Sequence, residues 1–333
     1  MSDPANPASI SAEDEDLLLA AEVPDALAGA RLDAACAKLF DGYSRSRLQT
    51  WIEAGRLRVN GEVVVRGRQP VAPGDQLLLD AEPEAETRVL PQDLPLDLVH
   101  ADREIAVVAK PAGLTVHPGA GQRAGTLQNA LLHHFPQTAA VPRAGIVHRL
   151  DKDTSGLLVV ALTLSAHARL VAELGRREFR REYDALVQGT LIAGATIDLP
   201  IGRHPRERLK MAVVDDGREA VTHYRIQERF PQHTLLRCRL ETGRTHQIRV
   251  HLAHQRYPIV GDALYGGPMR GAGLPEALRE TLRGFPRQAL HARELELTHP
   301  ATGKRLSWTL EPPADMQDLL RQLRAHARTQ PTP

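Results

Sequence analysis

The sequence predicts an α+β protein, in which a mixed, largely antiparallel β-sheet with flanking helices follows a small N-terminal domain. From residue 96 onward, strand-type and helix-type apolar patterns alternate without the regular strand–helix–strand repeat of a parallel sheet. Before that point, a helix–helix–hairpin pattern over residues 23–81 is followed by a segment rich in Glu and Pro, residues 82–95, which is typical of a linker. A chain of 333 residues is long enough for two hydrophobic cores, so we expect a second domain over residues 96–327.

The composition is that of an ordinary globular protein, with 42% hydrophobic and 25% charged residues. Because no apolar run reaches about 18 residues, we expect no transmembrane helix and no membrane partner. The acidic N-terminus lacks a signal-peptide pattern, which favours a cytoplasmic protein. Cys36 and Cys238 are too few for a disulfide framework or a cysteine zinc site, and we expect both in the core.

The formal net charge of +1 conceals an uneven distribution of charge. The first 20 residues hold five acidic residues and no Lys or Arg, and we expect residues 1–22 to form a disordered tail. Residues 31–68 hold eight Lys and Arg against four Asp and Glu. Such a basic cluster indicates a polyanionic partner, although a solvated surface would give the same pattern.

Apolar spacing in the N-terminal domain predicts two helices and a hairpin. One helix carries apolar residues from Leu32 to Leu39 at helical spacing, and a second presents Leu48, Trp51 and Ile52. A serine of residues 43–46 is the expected N-cap of the second helix, and Gly55 suits its C-terminal end. The dipeptide Asn60-Gly61 predicts a type I′ hairpin, and a further strand is expected over residues 76–79.

In the larger domain, four apolar segments predict strands, over residues 104–110, 157–162, 182–187 and 234–240. Thr126 is a candidate N-cap for a helix that follows it, and residues 166–174 have helical spacing. Thr245 is a candidate N-cap for a helix over residues 247–253. We expect residues 328–333 to be a frayed tail.

The segment 148–156 carries the strongest chemical signal. Asp151 follows His148 and Arg149 and lies at the entrance of an apolar run that reads as a buried strand. A carboxylate placed there is a candidate nucleophile or base, and a neighbouring guanidinium would keep it ionised. From the residues alone, Arg244 and Arg249 are equal candidates for that guanidinium.

These motifs resemble those of the RluA-type pseudouridine synthases, which isomerise uridine in RNA, and the resemblance covers nearly the whole chain. Residues 44–61 are similar to the S4 RNA-binding domain. The catalytic domain carries the resemblance in six segments, residues 108–119, 144–156, 181–187, 243–251, 260–266 and 287–292.

The resemblance implies a role for particular residues of this chain. Asp151 would be the catalytic nucleophile or base, and Arg249 would pair with it. Tyr183 would stack on a flipped uracil and serve in proton transfer at C5. Arg149 would fill the helical gap that the uridine leaves. The reaction is an isomerisation that requires no cofactor, nucleotide or metal.

RNA contacts are expected from basic residues of both domains, namely Arg149, Arg45, Arg47, Arg56, Arg58 and Arg244. Three further segments, residues 141–145, 201–205 and 222–226, resemble family members that modify large-subunit (23S) rRNA in the loop of helix 69. We therefore expect an rRNA substrate and a monomeric enzyme. The target site, the number of uridines modified, and the choice among attack at C1′, attack at C6 and loss of the 2′ proton stay open.

Three other readings were weighed. Asp151-Lys152-Asp153 has the Asp-x-Asp spacing of haloacid dehalogenase phosphotransferases, but His148 and Arg149 interrupt the strand that should precede it. His251 and His254 could share a helix face at a zinc site, but no carboxylate stands at ligand spacing. The remaining alternatives are a pseudouridine synthase that acts on another rRNA site or on tRNA, and a non-catalytic S4-type assembly factor. The joint presence of Asp151, Tyr183 and Arg249 favours catalysis over the assembly factor.

Overall fold

The computed structural model describes residues 17–40, 43, 45–81, 89–119, 122, 124–207, 210–268 and 273–329. The chain divides into two compact units, Met1–Arg88 and Val89–Pro333. Within the described ranges, no helix is both long and apolar enough to cross a bilayer. The predicted α+β class, with a largely antiparallel sheet, is confirmed.

The N-terminal unit packs two helices on a four-stranded antiparallel sheet. Its helices are α1 (Leu32–Leu39) and α2 (Arg45–Glu53), and its strands are β1 (Leu17–Glu22), β2 (Leu57–Val59), β3 (Glu62–Val64) and β4 (Gln76–Ala81), in the order β1-β4-β2-β3. Both helices lie where apolar spacing placed them, with Leu32, Leu48 and Leu57 fully buried. Asn60 and Gly61 both have positive φ, at 51° and 86°, which is the backbone of the predicted type I′ turn.

The expected tail over residues 1–22 is wrong for its last six residues. Strand β1 pairs with β4 along its whole length, and Leu19 lies opposite Leu79. The acidic charge of the first 20 residues hid the apolar run Leu17–Ala21, which extends the sheet once β4 offers an unpaired edge. Residues 1–16, and Ser44, one of the two serines that could cap α2, lie outside the described residues.

The expected linker, residues 82–95, is likewise corrected in its second half. The Nδ2 amide of the buried Asn129 donates to Leu90 O at 2.7 Å, and Gln92 N donates to Asn129 O at 3.0 Å. Proline-rich chain of this kind keeps its carbonyls free for side-chain donors, so residues 89–95 pack on the second unit as extended chain. Residues 82–88 lie outside the described residues, as do 330–333, and the last helix extends to Thr329, within the expected frayed tail.

The second unit is built on a nine-stranded mixed sheet. The sheet's strand order is β5-β6-β7-β14-β8-β13-β12-β9, with β15 paired to β14, and β10 and β11 form a separate hairpin. The strands are β5 (Leu98–Ala101), β6 (Ile105–Lys110), β7 (Ser155–Ala161), β8 (Arg180–Gln188), β9 (Ala195–Asp198), β10 (Ile201–Arg203), β11 (Met211–Val213), β12 (Val221–Arg229), β13 (His233–Leu240), β14 (Leu290–Thr298) and β15 (Arg305–Thr309). The helices are α3 (Leu127–His134), α4 (Leu164–Gly175), α5 (Gln247–His254), α6 (Glu276–Arg283) and α7 (Ala314–Thr329).

Strand β14 determines where the chemistry lies, because it enters the sheet between β7 and β8. Ala292 is opposite Gly156 on one side, in parallel register, and opposite Tyr183 on the other, in antiparallel register. Neighbouring strands lie about 4.8 Å apart, so the loop that precedes β7 and the middle of β8 are two strand spacings apart, roughly 10 Å. Strand β14, which comes late in the sequence, therefore brings together the motifs that contain Gly156 and Tyr183, which lie about thirty positions apart.

Gly156 is the position at which this insertion depends on glycine. A Cβ at residue 156 would lie 2.2 Å from Ala292 O and 2.6 Å from Ala292 N, and φ is 122°. We expect Gly156→Ala to lower the free energy of unfolding by about 3 kcal/mol or more, because backbone rather than a flexible side chain would have to move. Urea unfolding followed by circular dichroism measures this loss.

Gly303→Ala is the matched control, since Gly303 also has positive φ, 69°, but its Cβ would meet nothing within 4 Å. There we expect a loss of only about 1 kcal/mol, the cost of the left-handed backbone alone. Equal losses at the two positions would show that the contact with β14 is not what Gly156 provides.

Candidate active site

Asp151 lies in a turn that a buried lysine holds in place through hydrogen bonds to backbone carbonyls. The turn closes with Thr154 N donating to Asp151 O at 3.1 Å. Lys110, which is 1% exposed, donates from Nζ to the carbonyls of Lys152 at 2.9 Å and of Pro111 and Leu114 at 2.8 Å. Burial lowers the pKa of Lys110 to about 7, while Asp153 and Asp151 act to raise it. Three carbonyl acceptors favour the ammonium form, and in that form Lys110 ties the loop to the carbonyls of residues 111 and 114.

Arg249, on α5, is the guanidinium that reaches Asp151. Its Nη1 donates to Asp151 Oδ2 at 2.9 Å. The Asp151 side chain is 16% exposed and that of Arg249 only 6%, so the carboxylate faces the solvent side of the pair. Arg244 does not take this place, because its Nε donates to Glu219 O at 2.9 Å. The choice that the residues alone left open is therefore settled by position: Arg249 is the one beside Asp151.

Asp262 fixes the position of the Arg249 guanidinium through two hydrogen bonds. The Arg249 Nε donates to Asp262 Oδ2 at 2.7 Å, and Nη2 donates to Oδ1 at 2.9 Å. Asp262 Oδ1 also accepts from the backbone N of Leu264 and Tyr265, at 3.0 and 3.1 Å. Burial alone would lower the pKa of the Arg249 guanidinium, but Asp262 and then Asp151 raise it above its ordinary value. Arg249 is thus a fixed cation at every working pH.

Sequence reasoning missed Asp262 and Lys110 as parts of the site. Asp262 follows Gly261, where an added Cβ would lie 2.1 Å from Arg287 O. A polar residue directly after a glycine was the sequence signal that could have pointed to Asp262. Tyr265 completes the support, since its ring centroid lies 5.1 Å from Arg249 Cζ and its hydroxyl accepts from Met211 N at 2.9 Å.

Tyr183 lies on β8 and is 5% exposed. Burial raises the pKa of its phenol, the nearby Arg181 opposes that rise, and Asp151 adds to it. The Tyr183 phenol is therefore affected by the charge of both a carboxylate and a guanidinium, and all three groups line one cleft. In a protein of 4% aromatic residues, a buried ring beside a fixed carboxylate is a specific feature of the site.

A cleft of about 470 Å³ is lined by these side chains, and we name it the Asp151 cleft; its lining includes His148, Asp151, Arg181, Tyr183, Gly243 and Arg249. The exposed Arg149 lies on its wall, with Arg143, Arg177 and Arg244. Space of this size holds a nucleotide, and the basic wall suits a phosphodiester chain.

The four arginines expected to bind RNA in the N-terminal unit lie on or beside α2 and the hairpin. Arg45 Nη2 lies 3.1 Å from Asp33 Oδ2, and Arg47 Cζ lies 4.8 Å from the centroid of the Trp51 ring. Arg56 Nη1 is 3.8 Å from Asp80 Oδ2, and the exposed Arg58 donates weakly to Gly61 O at 3.5 Å. These contacts hold the four guanidinium groups on or beside α2 and the hairpin, where the RNA contacts are expected.

One expectation about α5 is revised, the N-cap at Thr245. The helix begins at Gln247, after His246 in the left-handed conformation with φ of 57°, and Thr245 does not cap it. The Gln247 side chain instead ties the preceding turn to the helix, since its Oε1 accepts from Arg244 N at 2.9 Å and from Thr242 Oγ1 at 2.8 Å. Both ring nitrogens of His251 form hydrogen bonds, Nδ1 with Thr222 Oγ1 and Nε2 with Leu199 O, each at 2.9 Å, which leaves no ring nitrogen for a metal. Its role is therefore structural.

Comparisons with known proteins agree with the motifs. Residues 104–254 match the family model described as RNA pseudouridylate synthase, and residues 30–77 match the S4 domain. The ribosomal large subunit pseudouridine synthase D of Pseudomonas aeruginosa is 58% identical over 306 residues, which cover 92% of this chain and 95% of the relative. The protein of that name from Escherichia coli strain K12 is 54% identical over 308 residues, 92% of this chain and 94% of the relative.

Solved structures show the same fold. The human RNA pseudouridylate synthase domain containing 4 aligns with a TM-score of 0.53 at 25% identity, covering 68% of this chain and 93% of the human one. The human RNA pseudouridylate synthase domain containing 1 aligns with a TM-score of 0.52 at 26% identity, covering 73% and 98%. The resemblance expected from the motifs is confirmed.

Proposed function

Because this chain belongs to the RNA pseudouridylate synthase family, and is therefore an isomerase that acts on RNA, we propose that its substrate is a uridine of large-subunit (23S) ribosomal RNA in the loop of helix 69. The observation that carries the chemistry is the Asp151–Arg249 pair at 2.9 Å in the lining of a cleft with a basic wall. The names of the relatives, large-subunit rRNA synthases at 54–58% identity over nine-tenths of the chain, support the substrate. The helix 69 loop rests on the resemblance of residues 141–145, 201–205 and 222–226 alone.

In this proposal, Asp151 is the nucleophile or base, held ionised and oriented by Arg249. The target uridine leaves its stack and enters the Asp151 cleft, with its base against Tyr183. Arg149, exposed at the wall, fills the gap in the RNA or contacts a phosphate. Attack of Asp151 at C1′, attack at C6 and removal of the 2′ proton all act on atoms no more than two bonds from C1′, so each is compatible with this arrangement.

The test is a map of pseudouridine across total rRNA from cells with and without this protein, with carbodiimide adducts detected as stops of reverse transcription. We expect stops in the helix 69 loop to disappear without the protein and to return with wild type but not with Asp151→Asn. Stops lost elsewhere in rRNA or in tRNA would move the target. Unchanged modification in every RNA would favour the rival, a non-catalytic S4-type assembly factor.

We further propose that the N-terminal unit anchors RNA phosphates through Arg47 and Arg58. Each phosphate contact contributes about −0.7 to −0.9 to the slope of log K against log salt. The double variant Arg47→Gln, Arg58→Gln should therefore bind the rRNA hairpin more weakly and with a slope about 1.5 to 2 shallower. Filter binding between 50 and 300 mM KCl measures both quantities.

The control for that experiment is Arg324→Gln on α7, where the guanidinium already pairs with Glu228 at 2.8 Å. The same loss of charge should leave the slope unchanged there, because that arginine is neutralised within the protein. A slope in the double variant equal to that of wild type would overturn the anchoring role.

A further inference from the structure

Arg181 is a buried cation with no counter-ion. It is 7% exposed, and among the described residues no carboxylate lies within ion-pair distance of it. Its Nη2 makes one long hydrogen bond, 3.4 Å to Glu241 O, and its Nε is buried without an acceptor. Burial lowers the pKa of this guanidinium. A buried, unpaired charge is costly, and such a group persists where function needs it.

The side chain of Arg181 lines the Asp151 cleft. On β8, residues 181 and 183 are two positions apart and share one face of the strand, so the guanidinium lies on the same side as the Tyr183 ring. Gly243 leaves it room, since a Cβ there would lie 3.0 Å from Arg181 Nη1. Asp151, Tyr183 and Arg181 all line this cleft.

His148 adds a second donor to the lining of the cleft. Its Nε2 accepts from Val159 N at 3.1 Å, so the ring proton lies on Nδ1, and Nδ1 is buried without an acceptor. Burial and then the charge of Arg181 lower the pKa of His148 to about 3, so the ring stays neutral. The lining of the cleft therefore includes the Asp151 carboxylate and two groups without a hydrogen-bond acceptor, Arg181 Nε and His148 Nδ1.

We propose that Arg181, with the Nδ1–H of His148 beside it, stabilises the negative charge that the uracil acquires when it is displaced. This inference rests on the proposed function, and it assigns the part of the cleft that Arg181 lines. With C1′ at Asp151, the uracil ring extends across Tyr183 toward Arg181. A preorganised cation in a site with little water acts most strongly on charge that develops during the reaction.

On every route that breaks the C1′–N1 bond before the ring turns, the displaced uracil carries a negative charge that a cation such as Arg181 would stabilise. The electron pair of that bond leaves with N1 and spreads onto O2 and O4, so the ring becomes an anion. Asp151 either forms a bond to C1′ or takes the 2′ proton, which leaves a glycal. After rotation, C5 bonds to C1′ as the Asp151–C1′ bond breaks or, on the glycal route, as C2′ takes its proton back from Asp151; the proton on C5 is then lost and N1 gains a proton. The charge returns to zero, and Arg181 is needed only in between.

The test is single-turnover conversion of the rRNA hairpin by Arg181→Gln and Arg181→Lys. We expect Arg181→Gln to slow the conversion by about 10²- to 10³-fold, the effect of removing one anion-stabilising group, with the Kd for RNA within about threefold of wild type. Arg181→Lys, which keeps the charge, should recover most of the rate. The melting temperature of Arg181→Gln should be equal to or above that of wild type, because an unpaired buried cation is removed.

A second substrate separates this role from a structural one. RNA with 5-fluorouridine at the target carries a better leaving group, because fluorine stabilises the displaced anion. The ratio of wild-type to Arg181→Gln rates for loss of the target nucleoside should therefore be smaller for this RNA than for uridine. The control is Arg180→Gln, the next residue on β8, whose guanidinium donates to Glu182 Oε1 at 2.8 Å and which should retain the wild-type rate.

Three outcomes overturn the inference. A rate unchanged in Arg181→Gln, or an equal ratio for the two RNAs, would show that Arg181 does not act on the leaving uracil. A weaker Kd with a shallower salt slope and an unchanged rate would make Arg181 a phosphate anchor instead. Failure of the wild-type protein itself to convert the hairpin would refute the proposed function, and this inference with it, whereas conversion by both proteins at the same rate would refute the inference alone.

Discussion

Asp151→Asn protein should bind its RNA and convert none of it. The substitution keeps the shape of the side chain but removes the charge that pairs with Arg249 at 2.9 Å. Asparagine is neither a nucleophile nor a base, so we expect single-turnover conversion to fall by roughly 10⁴-fold or more. The Kd for RNA should stay within about threefold, because the basic wall of the cleft is unchanged. Quench-flow with nucleoside analysis measures the rate, and filter binding measures the affinity.

Asp153→Asn is the matched control, because it removes one negative charge from the same loop at a carboxylate that does not pair with Arg249. Its rate should stay within about tenfold of wild type, since only the long-range field near Lys110 changes. Stability should also survive Asp151→Asn, as Arg249 retains both bonds to Asp262. Measurable turnover by Asp151→Asn at a rate close to that of Asp153→Asn would remove Asp151 from the mechanism.

Much of this fold could be predicted because its signals are local. The helical spacing through Leu32 and Leu39, the Asn60-Gly61 turn and the capping threonine at 126 each depend on a few neighbouring residues. Thr126 indeed forms a capping box with Asn129 at the start of α3. By contrast, β1 lies in an acidic segment and becomes a strand only because β4 presents an edge to it.

The site was predictable for the residues that carry chemistry and not for those that support them. Asp151, Tyr183 and Arg249 stand in motifs whose residue types suggest a role, and the structure brings all three to one cleft. Which arginine meets Asp151 depends on where α5 begins, and the sequence does not fix that position. Lys110 acts through backbone carbonyls 4 and 42 residues away, a relation that leaves no trace in local spacing.

We expect Asp262→Ala to lower the free energy of unfolding more than the other substitutions do, and to lower the rate of conversion as well. The Asp262 side chain is fully buried and accepts four hydrogen bonds, two from Arg249 and two from the backbone of residues 264 and 265. Removing one partner of a buried pair costs about 3–5 kcal/mol, because the other charge is left uncompensated. Urea unfolding should show that loss, and single-turnover conversion should fall because Arg249 no longer has a fixed position beneath Asp151.

Asp262→Asn keeps the experiment informative if the alanine variant does not fold. Its Oδ1 can still accept from the backbone of residues 264 and 265, but its amide would point a donor at the Arg249 guanidinium, itself a donor. We therefore expect an intermediate loss of stability and a rate well below wild type. An alanine variant within about 1 kcal/mol of wild type would mean that Asp151 alone suffices to hold Arg249. In that case the carboxylate would orient the arginine rather than the reverse, and Asp151→Asn should then be the variant that loses stability.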